Sequence, residues 1–289
     1  EGTLVEDRTF IDGGCPADLE FCSNKTNNPT IDRTRMELVL IADKGELGTG
    51  YVAVDHEKGV VMLVFRGSST RQDWFSDFQI YPVDYVPASS KEYQKLVKKG
   101  KIKPCEGCQI HHGFNQFSKT LGRHFLQRVR KIFKQYPDYN LVVTGHSLGA
   151  ALASLAGIEL KLRGHDPMVL TYATPKMFNA PMKQWVDELF ETQKIHEKSL
   201  ENEKLLFHKG YFRVVHLQDY ITMVPPFYKA AGLEIFISKL ELPHCLEDVE
   251  YRGLGTGLSW RMLPSKVNKE GVFPDGRTLA TVEHWLHMF

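Results

Sequence analysis

Leu141-Val142-Val143-Thr144-Gly145-His146-Ser147-Leu148-Gly149-Ala150 decides how the rest of this 289-residue chain is read. Residues 141–144 are a short apolar, β-branched run that reads as a buried strand, and residues 148–162, rich in glycine and alanine, read as a helix. Between them, Gly145-x-Ser147-x-Gly149 makes a sharp strand-to-helix turn. A serine hydroxyl is a poor nucleophile unless it is exposed, aimed and deprotonated by a neighbour. Such a turn exposes it, and glycines two residues to either side leave room where side chains would collide across the turn. The helix start at Leu148 supplies free backbone N–H groups for a developing oxyanion. Ser147 is the candidate nucleophile, with Leu148 as an oxyanion donor.

Outward from this segment, residues 168–173 read as a strand and 180–190 as a helix. Strand, helix, strand, helix is the pattern of a parallel sheet with crossovers. Upstream, residues 50–55 and 60–65, separated by His56-Glu57-Lys58-Gly59, carry a β-hairpin signal. Apolar residues recur every three or four positions from Phe114 to Phe133, which predicts an amphipathic helix ending at Tyr136-Pro137. Residues 36–42 lead into the core as a helix or strand, residues 211–217 and 233–237 read as strands, and 278–289 as a terminal helix. Residues 1–35 read as a polar surface arm and 192–209 as a charged, solvated insertion. Lys95, Lys98, Lys99, Lys101 and Lys103 form a basic run expected in a solvated loop. With no internal repeat and no linker, residues 1–289 read as a single domain.

Apolar residues make up 42% and charged residues 25%, which is ordinary globular composition and argues against disorder or fibrous structure. The net charge of +1 gives no global attraction to nucleic acid, so any polyanion binding must be local. No apolar run is long enough to span a membrane. The chain opens on Glu1 without a basic-then-apolar leader, as expected if a leader has been removed or the chain trimmed. Four cysteines fall into two close pairs, Cys15 with Cys22 and Cys105 with Cys108, and Asn24-Lys25-Thr26 is a glycosylation sequon. Together these suggest a secretory route. Cys105-Glu-Gly-Cys108, with His111 and His112 beyond it, is open to three readings: zinc, a redox pair, or a structural disulfide. Zinc is disfavoured because adjacent histidines on a strand point to opposite faces. The disulfide is expected, and Cys245 is expected to be free and buried or paired elsewhere.

Gly145-His146-Ser147-Leu148-Gly149-Ala150, together with Leu63-Val64-Phe65-Arg66-Gly67-Ser68-Ser69, resembles the class 3 lipases, the Rhizomucor-type fungal triacylglycerol lipases. Further matches, among them residues 50–56, His112-Gly113-Phe114 and residues 135–139, make it similar above all to the secreted yeast lipases. The resemblance covers about residues 35–289. It implies an α/β-hydrolase fold, a central mostly parallel sheet with helices on both faces and a short helical lid. That architecture orders its triad Ser, acid, His. Asp219 is the expected acid because it follows residues 211–217 at a strand's C-terminal end, whereas Asp166 precedes a strand and Asp187 lies within a helix. For the general base, Glu283-His284-Trp285 fits the family's C-terminal pattern, with His244 and His287 as alternatives. His111, His112 and His216 read as structural, and His146 as pointing away from the serine. By the same resemblance Ser68 is the second oxyanion donor. Residues 69–88 hold the lid, with Trp74, Phe75 and Phe78 on one apolar face, and Pro175 belongs to the substrate-binding segment after a strand. There the chain departs from the family, with Phe178 where a glycine is usual.

The activity this implies is hydrolysis of long-chain acylglycerols, that of a triacylglycerol lipase, through an acyl-enzyme at a lipid–water interface. No cofactor, metal, nucleic acid or transmembrane segment is expected, and the protein is expected to be a secreted monomer. Phospholipase A1 or feruloyl esterase activity on the same fold is the alternative within enzymes. A non-catalytic lipid-binding relative is the alternative outside them.

Overall fold

The computed structural model describes residues 5–13, 15, 20–26, 28–42, 48–67, 81–202, 208–225, 227–242 and 244–255. An eight-stranded sheet runs in the order β1 (Arg35–Leu40), β2 (Gly50–Asp55), β3 (Val60–Phe65), β6 (Asn140–His146), β7 (Met168–Tyr172), β8 (Gly210–His216), β9 (Leu233–Ile237) and β10 (Val249–Gly253). β3, β6, β7, β8 and β9 are mutually parallel, with antiparallel β1 and β2 at one edge and β10 at the other. A separate two-stranded ribbon pairs β4 (Pro82–Asp84) with β5 (Gln109–His111). Five longer helices accompany the sheet among the described residues: α1 (Ser90–Lys98), α2 (Leu126–Gln135), α3 (Leu148–Leu162), α4 (Ala180–Leu189) and α5 (Thr192–Glu201).

Alternation along the strands assigns each helix to a face. Val143, Val169 and Tyr211 join the main core with α2, α3 and α4. The intervening Met168, Leu170, Phe212 and Val214 pack on the opposite side against Ile195 of α5. At the other end of the sheet, Phe10 and Ile31 of the N-terminal arm cover Met36 and Ala53 on that second face. The arm is bridged to β1 at Thr9 and Arg35, and it is closed by a Cys15–Cys22 disulfide.

Every residue of α3 except Lys161 is buried, which explains its lack of a polar face. Its small residues let it lie close on the sheet: a Cβ on Gly157 would meet Val169 at 2.3 Å. Glu159 in this apolar setting is fully paired. Its carboxylate accepts hydrogen bonds from the Tyr85 hydroxyl at 2.8 Å and from the backbone N–H groups of Ala88 and Ser89 at 3.0 and 2.8 Å. Glu159 thereby pins the stretch entering α1. Glu159→Ala is expected to lower stability by about 3 kcal/mol, because the buried Tyr85 and Ser89 donors and the Ala88 N–H lose their acceptor; urea unfolding measures this.

The structure departs from the sequence expectations in places. The predicted helix over 114–135 is interrupted: helical turns at His112–Asn115 and Phe117–Thr120 lead into a π-helical stretch, Leu121–Phe125, before α2. His112 therefore opens a helix and is not a strand neighbour of His111. Part of the 192–209 segment is α5, which buries Thr192, Ile195 and Ser199 at helical spacing. The basic run begins on α1, whose amphipathic turn was hidden by its lysines. The Cys105–Cys108 pair forms a disulfide, and Cys245 is free but exposed, not buried. The terminal helix expected over 278–289 lies outside the described residues.

Candidate active site

The carboxyl ends of the parallel strands hold the candidate site. Ser147 sits between β6 and α3 with φ +54° and ψ −122°, a left-handed conformation that non-glycine residues seldom adopt. Its N–H donates to the Tyr172 carbonyl at the end of β7 at 3.0 Å, and its own carbonyl accepts from Ala150 N–H at 3.0 Å. The tightness of the turn accounts for both flanking glycines. A Cβ on Gly145 would lie 2.3 Å from the Gly149 carbonyl oxygen, and one on Gly149 would lie 2.3 Å from that of Phe65. Gly149→Ala is expected to cost about 1–3 kcal/mol or more, since backbone must move to admit the methyl group; the shift in thermal midpoint against wild type reads it.

Leu148 is the first residue of α3, so its N–H belongs to the turn that has no intrahelical acceptor. Gly67, just after β3, lies against the same turn: a Cβ there would stand 2.9 Å from the His146 carbonyl oxygen and 3.6 Å from Ser147 Cβ. The chain at Gly67 is therefore against the Ser147 turn; Ser68 itself, Trp74, Phe75 and Phe78 lie outside the described residues.

Asp219 follows β8 and is 2% exposed. It begins the 3₁₀ turn Tyr220–Met223, where its Oδ1 accepts from Ile221 N–H at 3.1 Å, and Gln218 before it has φ +67°. Burial pushes the Asp219 carboxyl up to about 7, opposed by the Ile221 hydrogen bond. The rival acids serve elsewhere: Asp166 pairs with Lys161 and Lys209, and Asp187 with Lys183 and the Gly232 N–H.

A small cavity of about 60 Å³ opens beside Asp219. Its wall includes His146, Tyr172, His216 and Ile237, the last residues of β6, β7, β8 and β9. That register, the carboxyl edge of a parallel sheet, is where α/β proteins place their ligand sites. Tyr172 had no assigned role in the sequence, and His216, read there as structural, lines this cavity. His146, expected to point away from the serine, lines this cavity, and burial holds its imidazole below the ordinary histidine range.

His244 also lines the cavity. His216 Nδ1 contacts the Leu217 carbonyl oxygen at 2.8 Å and must carry the proton, and burial keeps this imidazole below its ordinary pKa. Its Nε2 lies 3.3 Å from His244 Nε2, a hydrogen bond whose donor depends on the tautomers of the two rings. The His244 ring thus sits against His216. His284 and His287 lie outside the described residues.

Pro175 is buried in the connection from β7 to α4 and is not among the residues lining the cavity. Phe178 in that connection goes into the core, fully buried, with bridges to Ile110 and Lys229. The next residue, Asn179, caps α4 through Met182 N–H and accepts from Gln109 N–H beside the Cys105–Cys108 loop. Among the described residues no group of three or more His, Cys, Asp or Glu side chains could hold a metal ion.

The chain is 57% identical over 289 residues to "Putative lipase LIH1" of Saccharomyces cerevisiae, a match covering all of this chain and 85% of that protein. It is 29% identical to the "Secreted mono- and diacylglycerol lipase 2" of Gibberella zeae, covering 69% of this chain and 52% of the relative. The crystal structure of Lip2 lipase from Yarrowia lipolytica superposes with a TM-score of 0.63 at 30% identity, covering 77% of this chain and 74% of that one. Residues 62–229, from β3 through the serine turn and Asp219, match the model of the family described as Lipase (class 3), and on that match the chain belongs to the class 3 lipases.

Proposed function

We propose that the protein is a serine esterase that hydrolyses acylglycerols, using Ser147 as nucleophile, His284 as general base and Asp219 as the acid that orients it. The observation that supports this most strongly is the strained serine turn at the sheet's carboxyl edge, pressed by Gly67 and followed by a buried carboxyl at the end of β8. His284 would take the Ser147 proton as the oxygen attacks an ester carbonyl, and Asp219 would stabilise the resulting imidazolium. The Leu148 N–H and Ser68 would hold the oxyanion. The alcohol leaves, and water then releases the fatty acid from the acyl-enzyme.

Long-chain acylglycerols, triacylglycerols included, are the substrates we favour, because Trp74, Phe75 and Phe78 would give the lid an apolar face. Exposing that face in water costs roughly 25 cal/mol per Å², so an oil surface favours the open form. Emulsified long-chain and soluble short-chain esters, assayed with Ser147→Ala as control, test this. Faster turnover of the emulsion supports the reading. Turnover confined to phospholipids or feruloyl esters would replace it with the related activities, and binding of lipid without turnover would make the protein a non-catalytic relative. Two disulfides and a relative named as secreted support secretion, with Asn24 as a proposed glycan site. No helix among the described residues is long and apolar enough to cross a membrane.

A further inference from the structure

A groove of about 630 Å³ lies between α1, the π-helical stretch with α2, and the end of α3. Five cations line it, Lys91, Arg130, Lys131, Lys134 and Arg163, against one carboxylate, Glu92. Gln127, Arg130, Lys131 and Lys134 fall at helical steps of three and four, so a single stripe of α2 faces the groove while Leu126, Val129 and Ile132 are buried on the other side. Ion pairs do form elsewhere on the surface, as Lys103 with Glu188, Arg128 with Glu37 and Lys183 with Asp187. Among the described residues, none of the five groove cations has a carboxylate within ion-pair distance.

Two features make the groove a formed site and not merely a basic surface. Arg163 is half-buried, and its Nε donates to the Oγ of buried Ser89 at 2.8 Å, which fixes the guanidinium with its remaining N–H groups available. Ser89 also precedes the first turn of the nine-residue α1, so Ser90, Lys91 and Glu92 present the helix N-terminus to the same space. Guanidinium and ammonium groups sharing one concavity with the first turn of a helix are the chemistry that recognises phosphate. The volume is many times that of a single water, about 30 Å³, and suits several linked phosphates better than one.

We infer that this groove binds a soluble oligophosphate. The choice of a soluble ligand over a lipid headgroup rests on the proposed active site, whereas the anion site itself does not. Arg163 follows the full length of α3 from Ser147, about 24 Å away at about 1.5 Å per residue. A protein offering its serine edge to a lipid surface holds this groove at the far end.

Titration of the full chain with tripolyphosphate, by calorimetry at low and at elevated salt, tests the inference. Saturable one-to-one binding is expected, at least about tenfold weaker in Lys131→Gln/Lys134→Gln and nearly unchanged in Lys99→Gln/Lys101→Gln, which removes the same charge outside the groove. Equal weakening in both double variants, or no saturable binding, would overturn it. Citrate binding as tightly as tripolyphosphate would overturn the phosphate class. Co-sedimentation with vesicles of phosphatidylcholine containing phosphatidylinositol 4-phosphate should not depend on Lys131 and Lys134; if it does while tripolyphosphate fails to bind, the ligand is a headgroup and the soluble assignment is wrong. Both double variants should retain wild-type ester hydrolysis, so a failure of the catalytic proposal is read separately.

Discussion

Ser147→Ala should lower kcat on a soluble short-chain ester by roughly 10⁵–10⁶-fold while leaving the protein folded. The size follows from the division of labour in the proposed site. Without the hydroxyl no acyl-enzyme forms, and the base and acid, which act only through it, lose their effect as well. The Leu148 N–H and the chain at Gly67 remain, so weak activity above the uncatalysed rate is compatible with the variant. Stability should change little, by about 0.5 kcal/mol or less. Ser147 makes no side-chain capping hydrogen bond, and alanine meets the same strain at φ +54° that serine already bears. A variant that loses activity by unfolding would therefore be visible as a shift in its urea midpoint.

Asp219→Asn should cost about 10⁴-fold in kcat, since an amide cannot stabilise the imidazolium and favours the wrong imidazole tautomer. Its effect on stability should depend on pH, with a sign opposite to that of an ordinary surface aspartate. Burial raises the folded-state pKa from the ordinary carboxylate range to about 7. Between those values the folded protein holds a proton that the unfolded chain has released, so stability conferred at low pH is lost as pH rises toward about 7. Asparagine cannot ionise and escapes that loss. Relative to wild type, Asp219→Asn should gain up to about 4 kcal/mol between pH 4 and pH 8, at about 1.4 kcal/mol for each pH step over which the folded protein alone holds the proton. Urea unfolding of both proteins across that range measures it. A flat difference would mean that the carboxylate is stabilised in the fold by a permanent cation.

The segment from β6 through α3 was readable because its signals are local: a β-branched run, three spaced small or hydroxyl residues, then small residues at every turn. The hairpin β2–β3 and the strands β7, β8 and β9 were readable for the same reason. α1 was not, because its apolar residues are few and Tyr93, Leu96 and Val97 are only half-buried among lysines. α5 anchors itself with Thr192, Ile195 and Ser199, a pattern too weakly apolar to stand out from its charges. β10 is an edge strand whose Glu250 and Arg252 hide its alternation, and Arg252 stacks over Phe236. The walls of the cavity at Asp219 depend on strand order. His146, Tyr172, His216 and Ile237 come together because β6, β7, β8 and β9 are neighbours, which no single stretch of sequence states. Cys245, expected to be free and buried or paired elsewhere, is free and lies exposed just before the 3₁₀ turn Leu246–Asp248, with its N–H on Asp248.

The convergence of Ser147, His284 and Asp219 is tested most directly by the rate at which a p-nitrophenyl alkylphosphonate labels the protein, with the adduct located by mass spectrometry. One adduct per chain on Ser147 is predicted, slowed at least about a thousandfold by His284→Ala and little changed by His244→Ala, whose ring is directed at His216. Labelling that proceeds at the wild-type rate in His284→Ala, or that is abolished by His244→Ala instead, would contradict the proposed triad.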